Sequence, residues 1–449
     1  MPTFTGTLTL AGAQGTTAQA AACRLDFDNE SMTLIPGAGA PLSCDLGDID
    51  EFAPQDFELT LKLYTGEKLV LSRFGKSHQD LCHDLQEAYR ARLVQCLLLN
   101  DLDEIGRYDA TVDFKSPHQS FSGAAECRLY QSNLAILPLA HTGLQWRLAE
   151  IDSVTFDEAP YAIALRSGEE VLTVGKLAKR TREFMDKLQA AIADVASRSA
   201  ATVRSVFPFL SPEQFRRAAE LLKEGRVAPV AQLSAIHLKT AQALAERVVG
   251  ARLKPYFDYL STRAGADGFY AGFKLIRKDE EPEPDTDQPQ DPPDLESQTT
   301  EMQPPLPPEE ETDPDTEVLH WFLFPLRNQG AAVPQICAWE TTSRSGRATY
   351  FFRLFSPEEA GKIKPGEAAS AVDSAIRRLN RALLLLNFRR EPIYLPDDSL
   401  ELQPRYRRYA IAARKIPVLG QLRSSFIGRA IHTSMPTWQQ QVQKIASCI

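Results

Sequence analysis

Few residues in this sequence are grouped as catalysis or metal binding would require. His78, Cys82 and His83 fall within six residues, and helical spacing would bring two of them onto one turn, the beginning of a metal site. Nothing nearby completes a tetrahedral set. Gly66 and Gly75-Lys76-Ser77 hold elements of a phosphate loop, but eight residues separate the glycines where four are needed. The Gly-Lys pair reads instead as a turn from strand into helix. No HExxH, CxxC pair, GxSxG or GxGxxG occurs. Catalytic, cofactor-binding and metal residues are therefore all assigned as none, no cofactor is expected, and the reading leans away from an enzyme.

Charge is the stronger chemical signal. The net charge is -9, yet residues 279–317 contain 16 Asp or Glu, no Lys or Arg, and 10 prolines. Such a composition buries too little apolar surface to offset chain entropy, so a disordered acidic insertion is expected there. Residues 402–449 carry eight Lys or Arg and no acid. Arg405, Arg407, Arg408, Arg414, Lys415 and Arg423 are the candidate binding residues; Arg405–Lys415 has helical spacing with Tyr406, Tyr409 and Ala413 along one face, and Pro417 and Gly420 interrupt it before a second helical stretch. An anionic partner is expected for them. The alternative is a tail helix packed on its own domain with solvated arginines; among partners, the chain's own acidic insertion or an acidic protein comes first, then a membrane surface. Nucleic acid is disfavoured, because an acidic chain repels polyanions.

The first two hundred residues are a duplication. Phe4, Leu8 and Leu10 match Tyr108, Val112 and Phe114 at an offset of 104, and Cys23-Arg24-Leu25 matches Cys127-Arg128-Leu129 at the same offset. Ile49-Asp50 matches Ile151-Asp152 at 102, and Gly75-Lys76 matches Gly175-Lys176 at 100. Each copy reads as short strands followed by one helix. Leu59, Leu61 and Leu63 alternate with polar residues, the pattern of a half-buried strand. From Lys76 to about Leu99 the period becomes helical, with Leu81, Leu85 and Ala88 on one face; Phe184, Leu188 and Ala191 repeat it.

Seven short strands closed by an amphipathic helix resemble the pleckstrin-homology-like superfold and its GRAM relatives. The segments Leu42–Phe52 and Leu144–Val154, each a strand running into an Asp-Ile or Glu-Ile turn, carry the resemblance over residues 1 to about 198. Lipid-binding members of that group cluster cations between their first two strands. Here those loops, 11–17 and 115–120, hold none and one. The resemblance thus implies binding of a protein rather than a phosphoinositide.

The expected organisation is a first copy at 1–100, a second at 105–198, and a helical module leading into a first strand at 203–277. An acidic insertion at 278–317 and a C-terminal α+β domain with a basic helical tail at 318–449 complete it. One long helix is expected over Ala235–Leu260 and another from about Glu367 to Asn387. Strands are expected near Phe269–Ile276, Val318–Leu326, Val333–Trp339 and Ala348–Phe355, with a helical stretch holding Leu422, Phe426 and Ile427. The fold class is α+β: two pleckstrin-homology-like β-domains, a helical module and an antiparallel sheet.

The absence of an 18-residue apolar run argues against a membrane span, and the N-terminus lacks a secretory pattern. Seven scattered cysteines fit a reducing compartment. A cytoplasmic interaction scaffold that binds a protein partner is the expected function. The alternatives are a peripheral membrane protein using the basic segment and an enzyme in the C-terminal domain.

Overall fold

The repeat register is written into the backbone. A computed structural model describes residues 2–12, 20–100, 102–116, 120–265, 268–277, 316–328, 331–343 and 347–446. Most of the expected acidic insertion, and parts of both loops between the first two strands of each copy, lie outside the described residues. Two compact units divide the chain: residues 1–195 with 395–421, and residues 196–394 with 422–449.

In the first unit, copy one comprises β1 (Thr3–Ala11), β2 (Ala21–Phe27), β3 (Ser31–Pro36), β4 (Leu42–Asp45), β5 (Ile49–Gln55), β6 (Glu58–Leu63), β7 (Lys68–Ser72) and α1 (His78–Cys96). Copy two repeats it with β8 (Glu104–Lys115), β9 (Ser120–Tyr130), β10 (Asn133–Pro138), β11 (Leu144–Arg147), β12 (Ser153–Asp157), β13 (Ala162–Ser167), β14 (Glu170–Gly175) and α2 (Thr181–Val206). Strand order is 4-3-2-1-7-6-5 in the first sheet and 11-10-9-8-14-13-12 in the second, all antiparallel. Leu8 faces Leu71 across β1 and β7, as Val112 faces Val174 across β8 and β14. Each copy is thus a seven-stranded antiparallel sheet followed by a closing helix, as the duplication implied.

The alternation read in β6 holds: Leu59, Leu61 and Leu63 are buried while Lys62 is exposed. Leu81, Leu85 and Ala88 of α1, and Phe184, Leu188 and Ala191 of α2, are buried against their sheets. The Gly75-Lys76-Ser77 segment is a 3-10 turn into α1. The copies share apolar packing, since Tyr130, Ala135 and Leu137 of copy two join the core of copy one. A buried ion-pair set reinforces this: Arg90 of α1 meets Glu126 of β9 at 3.2 Å, and Glu126 also pairs with Arg128. The unit is completed by α10 (Asp397–Leu402) and α11 (Pro404–Lys415).

The second unit contains a helical module: α3 (Pro212–Leu221), β15 (Ala228–Pro229), α4 (Val230–Ile236), α5 (Thr240–Ala243), a π-helical turn (Leu244–Val248) and α6 (Lys254–Ala264). Ser211 and Gln214 form a capping box with Pro212 at the first turn. The single helix expected over Ala235–Leu260 is broken. His237-Leu238-Lys239 interrupts it first, and Val249 to Leu253 interrupts it again before Pro255 restarts a helix. The apolar period persists across both breaks, which is why sequence period alone ran them together.

The module packs on a sheet of order β15-β16-β17-β18-β19-β20. Its strands are β16 (Tyr270–Arg277), β17 (Thr316–Leu326), β18 (Ile336–Thr341), β19 (Ala348–Arg353) and β20 (Phe426–Ile431). Since β16 pairs β17 from Tyr270↔Leu323 to Arg277↔Thr316, residues 278–315 connect neighbouring strands of one sheet. Phe426–Ile431 corrects the expectation of a helix there: it pairs with β19, and the register shifts between Phe351↔Gly428 and Phe352↔Phe426, passing over Ile427. Further helices are α7 (Pro357–Lys362), α8 (Ala368–Leu385), α9 (Glu391–Tyr394), α12 (Pro417–Ser425) and α13 (Met435–Ala446). Phe257, Phe322, Phe324, Phe351 and Trp438 lie in one core.

Candidate functional site

The basic helix α11 begins with Pro404 at its first turn, where a missing N–H costs nothing. Tyr406, Tyr409 and Ile411 are buried. Arg407 and Arg414, seven residues and two turns apart, project together. Both reach Asp48, which follows β4 in the 3-10 turn Leu46–Asp48. Arg407 Nη2 lies 2.6 Å from Asp48 Oδ2 and Arg414 Nη2 lies 2.6 Å from Asp48 Oδ1. Glu401 of α10 bridges the same two guanidinium groups from the other side. Lys415 Nζ donates to the Ile49 carbonyl at 2.8 Å and to Asp50 Oδ1 at 3.0 Å. The turn is braced from within copy one by Arg92 of α1, which grips Asp45 bidentately at 2.8 and 2.5 Å.

Four carboxylates therefore face four cations. Burial pushes the Asp48 carboxyl above the usual aspartate range, against the opposing pull of Arg407 and Lys415. A glycine makes the close approach feasible. A Cβ on Gly47 would stand 2.9 Å from both Cys96 Sγ and Ile411 Cδ1. Burial holds the Cys44 and Cys96 thiols up at about 12, so both stay protonated and are poor nucleophiles. The chemistry available here is electrostatic fastening.

The remaining candidates fare differently. Arg405 stacks on the Tyr406 ring at 4.4 Å and is exposed. Arg408 lies over Tyr409 and donates to its hydroxyl at 3.0 Å. Arg423 donates to the Pro392 carbonyl. His78 Nε2 lies 3.2 Å from the Gln55 carbonyl oxygen, and Cys82 Sγ 3.6 Å from the same nitrogen. Among the described residues, no group of three His, Cys, Asp or Glu is placed to hold a metal ion, and no helix is long and apolar enough to cross a membrane.

Two features escaped the sequence reading. Phe57, at the β5–β6 turn, is 76% exposed with φ +63°, and Tyr161, at the β12–β13 turn, is 55% exposed with φ +51°. Both are 104 residues apart, so they occupy equivalent tips. An exposed aromatic in the left-handed region strains the backbone by roughly 1–3 kcal/mol and gains little burial. Acidic residues share each turn: Asp56 and Glu58 flank Phe57, and Asp157 and Glu158 precede Tyr161 by four and three residues. The 104-residue offset was the signal that could have found them.

The second feature is a buried polar network in the second unit. Thr349 Oγ1 accepts from Trp438 Nε1 at 2.9 Å and donates to Glu340. His432 Nε2 lies 3.1 Å from Glu340 Oε1 and stacks on Tyr256 at 3.9 Å. Glu340 is 1% and Thr349 0% exposed, while His432 is half-buried, and the network joins α6, β18, β19 and α13.

No family profile matches the chain, and no curated protein sequence matches it. Among solved structures, the pleckstrin homology domain of USP37 is similar at 14% identity and a TM-score of 0.17, over 20% of this chain and 96% of that one. A structure of Vav1 inhibited by an allosteric inhibitor gives 12% and 0.19, over 26% and 38%. The Spt16D–Pob3N heterodimer gives 12% and 0.16, over 37% and 83%.

Proposed function

We propose that this chain is an interaction scaffold that binds a protein partner through its tandem pleckstrin-homology-like domains. The observation that carries this reading is the pair of strained, exposed aromatics at equivalent hairpin tips. Phe57 meets His78 at 6.4 Å and Tyr161 meets Phe156 at 5.2 Å, yet both rings stay mostly exposed, and strain kept at two matching exposed positions supports a surface held ready for a partner. The acidic flanks favour a protein over an anionic membrane. So does the clamp, in which Arg407, Arg414 and Lys415 already face carboxylates of their own chain. The burial of Glu340 and Thr349, which bond to Trp438 and His432 within the core, favours a structural role for that network over an enzyme centred there.

The test uses Phe57→Gly and Tyr161→Gly in the full chain. Glycine suits both φ values, so thermal stability stays level or rises by up to about 1 kcal/mol. Affinity capture followed by mass spectrometry should recover a stoichiometric protein from the unaltered chain and lose it from the double variant. Equal capture by both would place the binding surface elsewhere.

A further inference from the structure

The second unit has a basic surface that the clamp does not involve. Residues 196–265 carry 11 Lys or Arg against five Asp or Glu, and a connected part of them meets apolar side chains. Arg204 lies over the Phe215 ring at 4.4 Å. Arg247, on the π-helical turn, donates to the Ser205 carbonyl at 3.4 Å. Gln214, beside Phe215, donates to the Ile236 carbonyl at 3.2 Å. The next residue, His237, faces the Phe209 ring at 4.9 Å. Leu238 follows, 87% exposed, with Lys239 exposed beside it.

The surface thus runs continuously from the end of α2, across the start of α3, to the His237–Lys239 turn. Segments 204–217 and 236–247 hold five cations against Glu213 and Glu246. Two details set it apart from an ordinary solvated face. An almost fully exposed leucine sits at its centre, and the turn at Leu244–Val248 is π-helical, a rare conformation that is frequent at functional sites.

We infer that this surface is the docking site, within the same chain, of the acidic proline-rich segment 278–315. Charge complementarity supports it: that segment holds 15 Asp or Glu and one Lys, and its Leu295, Met302 and Leu306 supply apolar side chains for Leu238 and the phenylalanines. The basic C-terminal helix is a poorer receptor, because three of its cations already face Asp48, Asp50 and Glu401. Length and attachment also fit. The segment leaves at Arg277 and returns at Thr316, its partner on the adjacent strand of the same unit. Thirty-eight residues have a contour of about 130 Å, so an out-and-back path reaches about 60 Å. A unit of this size has a radius of gyration of roughly 17 Å. Every face of it is within reach.

Placing the photo-crosslinker p-benzoylphenylalanine at Leu238 of the full-length chain tests the assignment, because a side chain so exposed tolerates replacement. Mass spectrometry should find the adduct within 278–315 of the same molecule. Its yield should fall about tenfold in 1 M salt, where charges are screened beyond about 3 Å. The pair Arg216→Glu and Lys239→Glu, both at exposed positions, should lower it severalfold, as should replacing the segment's acids by their amides. Adducts confined to other segments would overturn the assignment. So would adducts joining heavy- and light-isotope chains, which indicate a second copy, or nuclease-sensitive adducts, which indicate nucleic acid.

Discussion

The two copies treat the same corner of one fold in opposite ways. In copy one the corner reads Asp45-Leu46-Gly47-Asp48-Ile49-Asp50-Glu51, with four acids and no cation; in copy two it reads Arg147-Leu148-Ala149-Glu150-Ile151-Asp152-Ser153, with two acids and an arginine. Both form a 3-10 turn between the fourth and fifth strands. Only the first has the carboxylates that Arg407, Arg414 and Lys415 grip, and only the first has a glycine at the point of closest approach. Ala149 stands where Gly47 admits Ile411. Backbone conformation is thus conserved between the copies while three side chains decide which of them holds α11. A duplicated fold supplies the seat, and charge and a single methyl group decide its use.

The largest effect expected comes from removing the charges. Arg407→Glu with Arg414→Glu sets like charges against Asp48 and Glu401 in a partly buried place, and should cost about 3–5 kcal/mol. Urea unfolding would read the loss, and amide exchange across Pro404–Lys415 should accelerate strongly. Unchanged protection would mean that apolar packing of Tyr406, Tyr409 and Ile411 holds α11 by itself.

A smaller effect separates the copies directly. Gly47→Ala should cost about 1–3 kcal/mol through overpacking, whereas Ala149→Gly should cost no more than about 1 kcal/mol. The reverse order in urea midpoints would break the comparison.

The smallest effect is pH-dependent and belongs to copy two. Arg180 and Lys187 hold the exposed Glu183 down at about 2. A carboxylate lowered in the folded state stabilises fully above its ordinary range, and this contribution is lost as pH falls toward 2. Glu183→Gln should therefore melt slightly below the parent at pH 7, with the two curves converging by about pH 2. A gap that persists at pH 2 would assign the effect to packing.

The duplication was legible because anchors such as Cys23-Arg24-Leu25 and Cys127-Arg128-Leu129 keep their spacing, and because buried positions follow periods of 2 and 3.6. The breaks at His237–Lys239 and Val249–Leu253 were not, since the apolar period crosses both. Phe426–Ile431 was misread because its strand identity comes from pairing with β19, not from local preference. The clamp was hidden for a related reason. Asp48 and Arg414 lie 366 residues apart, and one-dimensional pattern reading has no means of joining them. The excess of acids in the copy-one corner, absent from its twin, was the available clue. The basic segment was noticed for its charge, but among the described residues Arg407, Arg414 and Lys415 meet Asp48, Asp50 and Glu401.

That separation also bears on biosynthesis. Asp48 leaves the ribosome long before Lys415 exists. At 5–20 residues per second, the intervening chain takes roughly 20–70 s to make. During that interval copy one is complete in sequence but lacks the helix that neutralises its corner. Of the four clamp cations, Arg92 alone is then already synthesised, and Asp48 and Asp50 still lack Arg407, Arg414 and Lys415. The nascent chain therefore presents an acidic face that the finished molecule covers, and the order of synthesis fixes when that face disappears.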